Sequence, residues 1–109
     1  MNEIVAKATE VGKMIAASDR FQAMKAAQTE ADNDAALRAN LKAFDELSQK
    51  LARMEREVKP IEPDDKRRLR DLQRQVAASP AMQKLARAEA DLAELINSVN
   101  AAIRSQLAE

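Results

Sequence analysis

Apolar residues recur along the chain at spacings of three, four and seven residues, the pattern of α-helices with one apolar face. In the first such helix, predicted over roughly residues 2–17, they are Ile4, Ala8, Val11 and Ile15. Ser18 and Asp19 are residue types that cap helices, so a second helix is predicted from about 19 to 31. No Pro or Gly separates the two, and the pattern leaves open whether they are distinct helices or one kinked helix.

The clearest pattern lies in the predicted third helix, which begins at the cap-rich segment 32–34. Apolar residues recur there every seven positions for about three heptads, as in a coiled coil or a helix that faces a core. The heptad series is Leu37, Phe44, Leu51 and Val58, and the intervening residues are Leu41, Leu47 and Met54. This helix is therefore predicted to have a continuous apolar contact face.

Three prolines divide the second half of the chain. Pro60 ends the third helix, because a residue that precedes proline disfavours helix. Pro63 starts a fourth helix that runs to about residue 78, and Pro80, preceded by a capping serine, starts a fifth that runs to about residue 107. We therefore predict an all-α fold of about five helices, in which the two long ones form an antiparallel helical hairpin or bundle.

Composition supports the helices but leaves a small core. The chain has 109 residues, too few for two independent cores, so a single domain over residues 1–109 is predicted. Hydrophobic residues make up 46%, but Ala supplies much of that share and buries little area. The thin core is therefore expected to be completed by self-association into a homodimer or small homo-oligomer.

The residue types that most often carry catalysis are missing. Without His or Cys, and with a single Gly, the chain lacks histidine and thiol catalysis, the usual transition-metal ligands and a glycine-rich phosphate loop. Asp32 and Asp34 are the nearest carboxylate cluster, and helix capping explains them better than metal binding. We predict no catalytic residue, no metal site, no cofactor and no enzymatic activity.

Charge and hydropathy indicate a cytoplasmic protein. The amino-terminal segment contains Glu3 and Glu10 and no continuous apolar run, unlike a signal peptide, and no stretch has the length of a membrane span. The absence of Cys fits a reducing compartment. Eighteen basic residues balance 18 acidic ones, which argues against a strong general affinity for nucleic acid.

One segment concentrates positive charge, because residues 50–74 hold nine basic and six acidic residues. A contact with RNA or with an acidic protein is one interpretation, and a solvated helix face with ion pairs along it is the favoured one. No aromatic residue is interleaved for base stacking, which weakens the nucleic-acid interpretation. The candidate basic contact residues are Lys66, Arg67, Arg70 and Arg74.

The apolar faces are the other candidate site, for a second copy or for another protein. Phe21 and Phe44 are the only aromatic residues, and membership of the core is favoured for both over a role as interface anchors. The sequence leaves open which face covers the chain's own core and which meets a partner. The candidate interface residues are Leu37, Leu41, Phe44, Leu51, Leu92, Ile96, Val99 and Ile103.

Three parts of the chain carry a resemblance to a known family. The first is the opening helix with its final serine, residues 4–18. The second is an aromatic, then acidic, then Leu-to-Phe run, formed by Phe21, Lys25, Ala26, Asp34, Leu37 and Phe44. The third is the closing helix, with residues 79–82, 88–92 and 96–100 and Ile103. Together these parts span nearly the whole chain, which resembles the YlbF/YmcA family of small helical bacterial regulators.

This resemblance implies an all-helical protein that dimerises or forms small oligomers. It also implies complexes that control competence, sporulation and biofilm formation, in which members assist ribonuclease-dependent mRNA maturation. It supplies no catalytic residues, and the chain has no thiol for the iron–sulfur ligation attributed to complexes that contain family members. The Ala-rich composition also differs from that of the developmental regulators in the family.

The predicted function is that of a non-enzymatic regulatory or adaptor protein that binds itself and other regulatory proteins. An RNA-contacting accessory subunit that uses residues 66–74 is one alternative. A structural coiled-coil or chaperone-like scaffold is the other.

Overall fold

The structure, a computed structural model, describes residues 2–108, and all regular structure within them is α-helical. The five helices are α1 (Glu3–Ala17), α2 (Asp19–Asp32), α3 (Ala35–Arg56), α4 (Pro63–Ala78) and α5 (Pro80–Ser105). The predicted all-α fold and the predicted number of helices are confirmed. The helix ends lie within a few residues of their predicted positions.

A single residue, Ser18, separates α1 from α2. Its hydroxyl donates to the Ile15 carbonyl at 2.6 Å and accepts from the Phe21 N–H at 3.2 Å. The Ser18 backbone is extended, with φ −70° and ψ 154°. Because one side chain ends the first helix and caps the second, α1 and α2 are distinct helices.

The same capping chemistry begins three other helices. Asn2 Oδ1 accepts from the Ile4 N–H at 2.8 Å at the start of α1. Asp34 accepts from the Leu37 N–H at 3.0 Å at the start of α3, and Ser79 Oγ accepts from the Met82 N–H at 3.3 Å at the start of α5. Each cap satisfies an N–H that the helix itself leaves unpaired.

The chain divides into two compact units. The first, here called the terminal unit, consists of Met1–Thr29 and Lys84–Glu109 and contains α1, most of α2 and most of α5. Within it the Arg20 guanidinium donates to the Asp91 carbonyl at 2.9 Å, which links α2 to α5. Its buried apolar residues are Ala27 and Ala88. Since alanine buries little area, the terminal unit has a very small core.

The second unit, here called the hairpin unit, is Glu30–Gln83 and contains α3 and α4, which pack antiparallel. Its buried cluster is formed by Leu47, Leu51 and Leu72, and the partly buried residues packed against it are Ala43, Phe44, Met54, Ile61 and Leu69. At the edge of the cluster, the Lys50 ammonium lies 3.3 Å from the Asp65 carboxylate. The partner of α3 in the predicted hairpin is thus α4, while the longer α5 lies mostly in the terminal unit.

The third helix ends before the position that the heptad pattern predicts. The Lys59 N–H donates to the Met54 carbonyl at 2.9 Å, and the Val58 N–H donates to the Glu55 carbonyl at 3.1 Å, which together form a Schellman motif. This motif requires a left-handed residue, and Val58 has a φ of 56°. Val58 is 90% exposed, so its predicted place on the apolar face of α3 is wrong.

Leu37 and Leu41 lie one turn apart on α3 but differ in exposure, 2% against 38%. We expect Leu37→Ala to lower the free energy of unfolding by about 2–5 kcal/mol, because truncation of a buried leucine leaves a cavity. Leu41→Ala, the matched control, is expected to cost less than half as much. Urea denaturation followed by far-ultraviolet circular dichroism, at one protein concentration, measures both; equal losses would contradict the assigned burial.

Val58→Gly is expected to raise the free energy of unfolding by about 0.5–1 kcal/mol. A left-handed β-branched residue costs about 1–2 kcal/mol, and the greater chain entropy of glycine offsets part of the gain. Ala52→Gly, in the exposed interior of the same helix, is the control and should cost about 1 kcal/mol. Urea denaturation followed by circular dichroism measures both variants. A lower free energy of unfolding in Val58→Gly would contradict backbone strain at Val58.

Candidate protein-binding surfaces

Half of the predicted interface residues lie on α3, and three of these four are turned toward the hairpin unit's own core. Leu37 and Leu51 are 2% and 8% exposed, and Phe44 is half-buried against the leucine cluster. Leu41 is the exception, since it borders a shallow open groove together with Arg38. A buried side chain cannot reach a partner in the folded chain, so α3 offers Leu41 rather than the whole predicted face.

The other half lies along α5, where half-buried and exposed residues alternate. Leu92 and Val99 are half-buried, whereas Ile96 is 39% and Ile103 57% exposed. Their spacing of three and four residues places all four on one side of the helix. The structure therefore brings these predicted residues together as one accessible apolar face within the terminal unit.

A further apolar face lies on α1 and was not among the predicted site residues. No residue of α1 is buried. Ile4, Val5 and Met14 are 78%, 54% and 72% exposed, and Val11 is 37% exposed. The periodicity of α1 is visible in the sequence, but it does not specify whether the apolar face covers the chain's own core or meets a partner. In the structure most of this face is open to water, and Ile15 is half-buried.

Gly12 lies in the middle of α1, in ordinary helical conformation. A Cβ atom built at this position meets nothing within 4 Å. Glycine in a helix interior costs about 1 kcal/mol relative to alanine. Neither the backbone nor the packing of the single chain therefore explains why glycine occupies this position.

The four predicted basic residues share one exposed face of α4. Arg67 and Arg74 each pair with the aspartate three residues earlier in the helix, the latter at 3.6 Å. Lys66 and Arg70 make no ion pair with any residue of the range 2–108. Exposed pairs of this kind contribute at most about 1 kcal/mol, so they hold the arginines weakly. Part of this face remains available to an anionic partner.

The ionisable groups of the described residues face solvent. Within residues 2–108 no polar or charged residue is buried. The same range contains no cluster of three or more acidic, His or Cys residues that could hold a metal ion. No helix in it is both long enough and apolar enough to cross a bilayer. What these residues offer to a partner is the apolar faces of α1 and α5 and the basic face of α4.

Comparison with known proteins gives one result. Neither the search of curated proteins nor the search of solved structures found a match. A family model described as "Control of competence regulator ComK, YlbF/YmcA" matches residues 4–108, which is nearly the whole chain. This match covers all five helices except the first residue of α1, and it includes the open apolar faces and the basic face. The chain therefore belongs to the YlbF/YmcA family, whose description assigns it a regulatory role.

Proposed function

We propose that this chain is a non-enzymatic regulatory adaptor that acts in the cytoplasm by binding other proteins. The observation that carries the proposal is the exposure of large apolar side chains along α1 and the end of α5, in a member of a regulatory family. The proposed setting is the complexes that control competence, sporulation or biofilm formation and assist ribonuclease-dependent mRNA maturation. The role of the chain in such complexes would be to hold other proteins together.

The physical basis is the area left uncovered. Burial of apolar surface contributes about 25 cal/mol of stabilisation per Å². Exposed side chains such as Ile4 and Ile103 supply this stabilisation only when a partner covers them. Contiguous exposed apolar surface of this kind marks protein-binding sites. On α1 and α5 this exposed apolar surface lies along one side of each helix, a geometry that suits the docking of another helix.

An affinity-tagged chain expressed at its natural level is expected to retain at least one partner in near-stoichiometric amount. Because apolar contacts carry the proposed binding, the partner should remain bound after nuclease treatment and in high salt. Quantitative mass spectrometry against an untagged strain measures this. Recovery of unfolded clients alone would favour the scaffold alternative, and loss of every partner on nuclease treatment would contradict direct protein binding.

The basic face of α4 supports a second candidate function, an RNA-contacting accessory subunit. Lys66 and Arg70 lie one turn apart, and Arg74 lies one turn further along the same side. Such a row of cations can follow a phosphate backbone. The zero net charge of the chain and the lack of aromatic side chains on α4 make this the weaker candidate.

Removal of two phosphate contacts by Lys66→Ala with Arg70→Ala should reduce the slope of log K against log salt by about 1.4 for single-stranded RNA. The control is Lys13→Ala with Lys42→Ala, which removes the same charge from other exposed positions. Fluorescence anisotropy of a labelled RNA over a salt series measures the slopes. No binding by the wild type, or equal slopes for both variants, would eliminate this candidate.

A further inference from the structure

We propose that the tip of the hairpin unit binds an acidic segment of another protein, in which carboxylates flank an apolar side chain. The tip groove, as we call it, is a shallow open groove between the end of α3 and the start of α4. The residues that line it are Glu55, Val58, Lys59, Pro60, Ile61 and Lys66. Because the groove belongs to the hairpin unit, binding there goes beyond the proposed function, which uses the apolar faces of the terminal unit.

Val58 is the apolar anchor of the tip groove. Its side chain is 90% exposed, more than any other large apolar side chain in residues 2–108. Its φ of 56° is unfavourable for a β-branched residue, and glycine is the usual residue at this position of a Schellman motif. Valine therefore weakens the single chain and gains no burial in return. Residues held in such conformations cluster at binding sites, where a partner uses the side chain.

The rest of the groove holds this anchor on an ordered surface. The Val58 and Lys59 N–H groups donate to carbonyls of α3, so the backbone of the tip is tied to that helix. Pro60 has a rigid backbone, and Ile61 is half-buried against the leucine cluster between α3 and α4. A partner therefore meets a surface that is already fixed, which lowers the entropy cost of binding.

Unpaired cations accompany this apolar surface. Lys66 lines the groove, and Arg70 lies one turn further along the same side of α4. Neither makes an ion pair with any residue of the range 2–108, and the same holds for Arg53 and Arg56 in the last turn of α3. These groups are available to the carboxylates of a partner.

Most carboxylates of the same segment are already paired. Within residues 50–74, Glu57, Asp64, Asp65 and Asp71 each lie within ion-pair distance of a basic residue. Glu55 and Glu62 are the two that do not. The unpaired cations of the segment outnumber them, and they are Arg53, Arg56, Lys66, Arg68 and Arg70. This surplus of positive charge complements an acidic partner.

An apolar anchor beside cations suits a protein better than RNA. Val58 contributes to binding when an apolar side chain covers it, whereas the phosphates of an RNA backbone supply charge alone. No aromatic residue lines the groove to stack on a base. An acidic protein segment with interspersed apolar residues supplies both contacts.

Fluorescence anisotropy of a labelled peptide, titrated with the full chain, tests this binding. The probe is a synthetic peptide of about 18 residues, in which glutamates separate leucines at helical spacing. One reference peptide has glutamine in place of every glutamate, and the other has serine in place of every leucine. We expect the probe to bind at least about tenfold more tightly than either reference peptide, because each of these lacks one of the two contacts.

Val58→Gly should weaken binding of the probe by about tenfold, although the same substitution is expected to stabilise the fold. Val58→Asn should weaken it similarly, because asparagine tolerates the left-handed conformation but supplies no apolar contact. The matched control is Leu107→Gly, which removes a 76% exposed apolar side chain from a turn outside the groove. It should leave the affinity unchanged.

Lys66→Ala with Arg70→Ala should also weaken binding of the probe by about tenfold at low ionic strength. The loss should be smaller in high salt, since salt screens exposed charges. Lys13→Ala with Lys42→Ala removes the same charge from other exposed positions and should have no effect.

Equal affinity for the probe and both reference peptides, or no binding of the probe, would overturn the inference. So would a folded Val58→Gly or Val58→Asn variant, verified by circular dichroism, that binds the probe as tightly as the wild type. A uridine oligonucleotide that binds more tightly than the probe, and equally to wild type and Val58→Gly, would assign the surface to RNA and overturn it too.

The affinity purification described above separates this binding from the proposed function. A chain that does not bind the probe but retains its partner in high salt would overturn acidic-segment binding alone. A chain that binds the probe but retains no partner would overturn the adaptor function alone.

Discussion

The packing of α3 against α4 depends on a few leucines that meet between the two helices. Leu47, Leu51 and Leu72 form the one buried cluster of large side chains in residues 2–108, and Leu37 is the most deeply buried large residue in that range. Elsewhere the buried positions are alanines. Since a buried leucine contributes about 1.5–3 kcal/mol and an alanine far less, the hairpin unit has most of the stabilisation that apolar burial supplies.

That asymmetry determines which kinds of surface each unit leaves exposed. The hairpin unit has used its apolar face internally, and what it presents to solvent is mainly charge, such as the basic face of α4. The terminal unit has a small core and keeps large apolar side chains in water on both α1 and α5. The exposed apolar faces described above therefore lie mainly on the terminal unit, and the basic face lies on the hairpin unit.

Regulation through such surfaces needs no buried polar group, and none is found in residues 2–108. The specificity of an adaptor comes from shape, from the placement of apolar anchors and from the charges at the rim of the interface. A family whose description names a regulator is consistent with that arrangement.

Local signals in the sequence determined the helices. Helical periodicity depends on neighbouring positions, and the caps at Ser18, Asp34 and Ser79 act within three residues, so all five helices could be predicted without knowledge of the packing. The basic residues of α4 lie close together in the sequence, so their position on one side of the helix follows from the same periodicity. Which apolar faces are used was decided only by the tertiary structure. The apolar stripes of α1, α3 and α5 are similar, but they differ in whether another helix covers them. At Val58 the heptad pattern predicts a residue on the apolar face, whereas the Schellman motif ends the helix and leaves the side chain exposed. Burial is a property of pairs of helices, and a single stripe does not specify its partner.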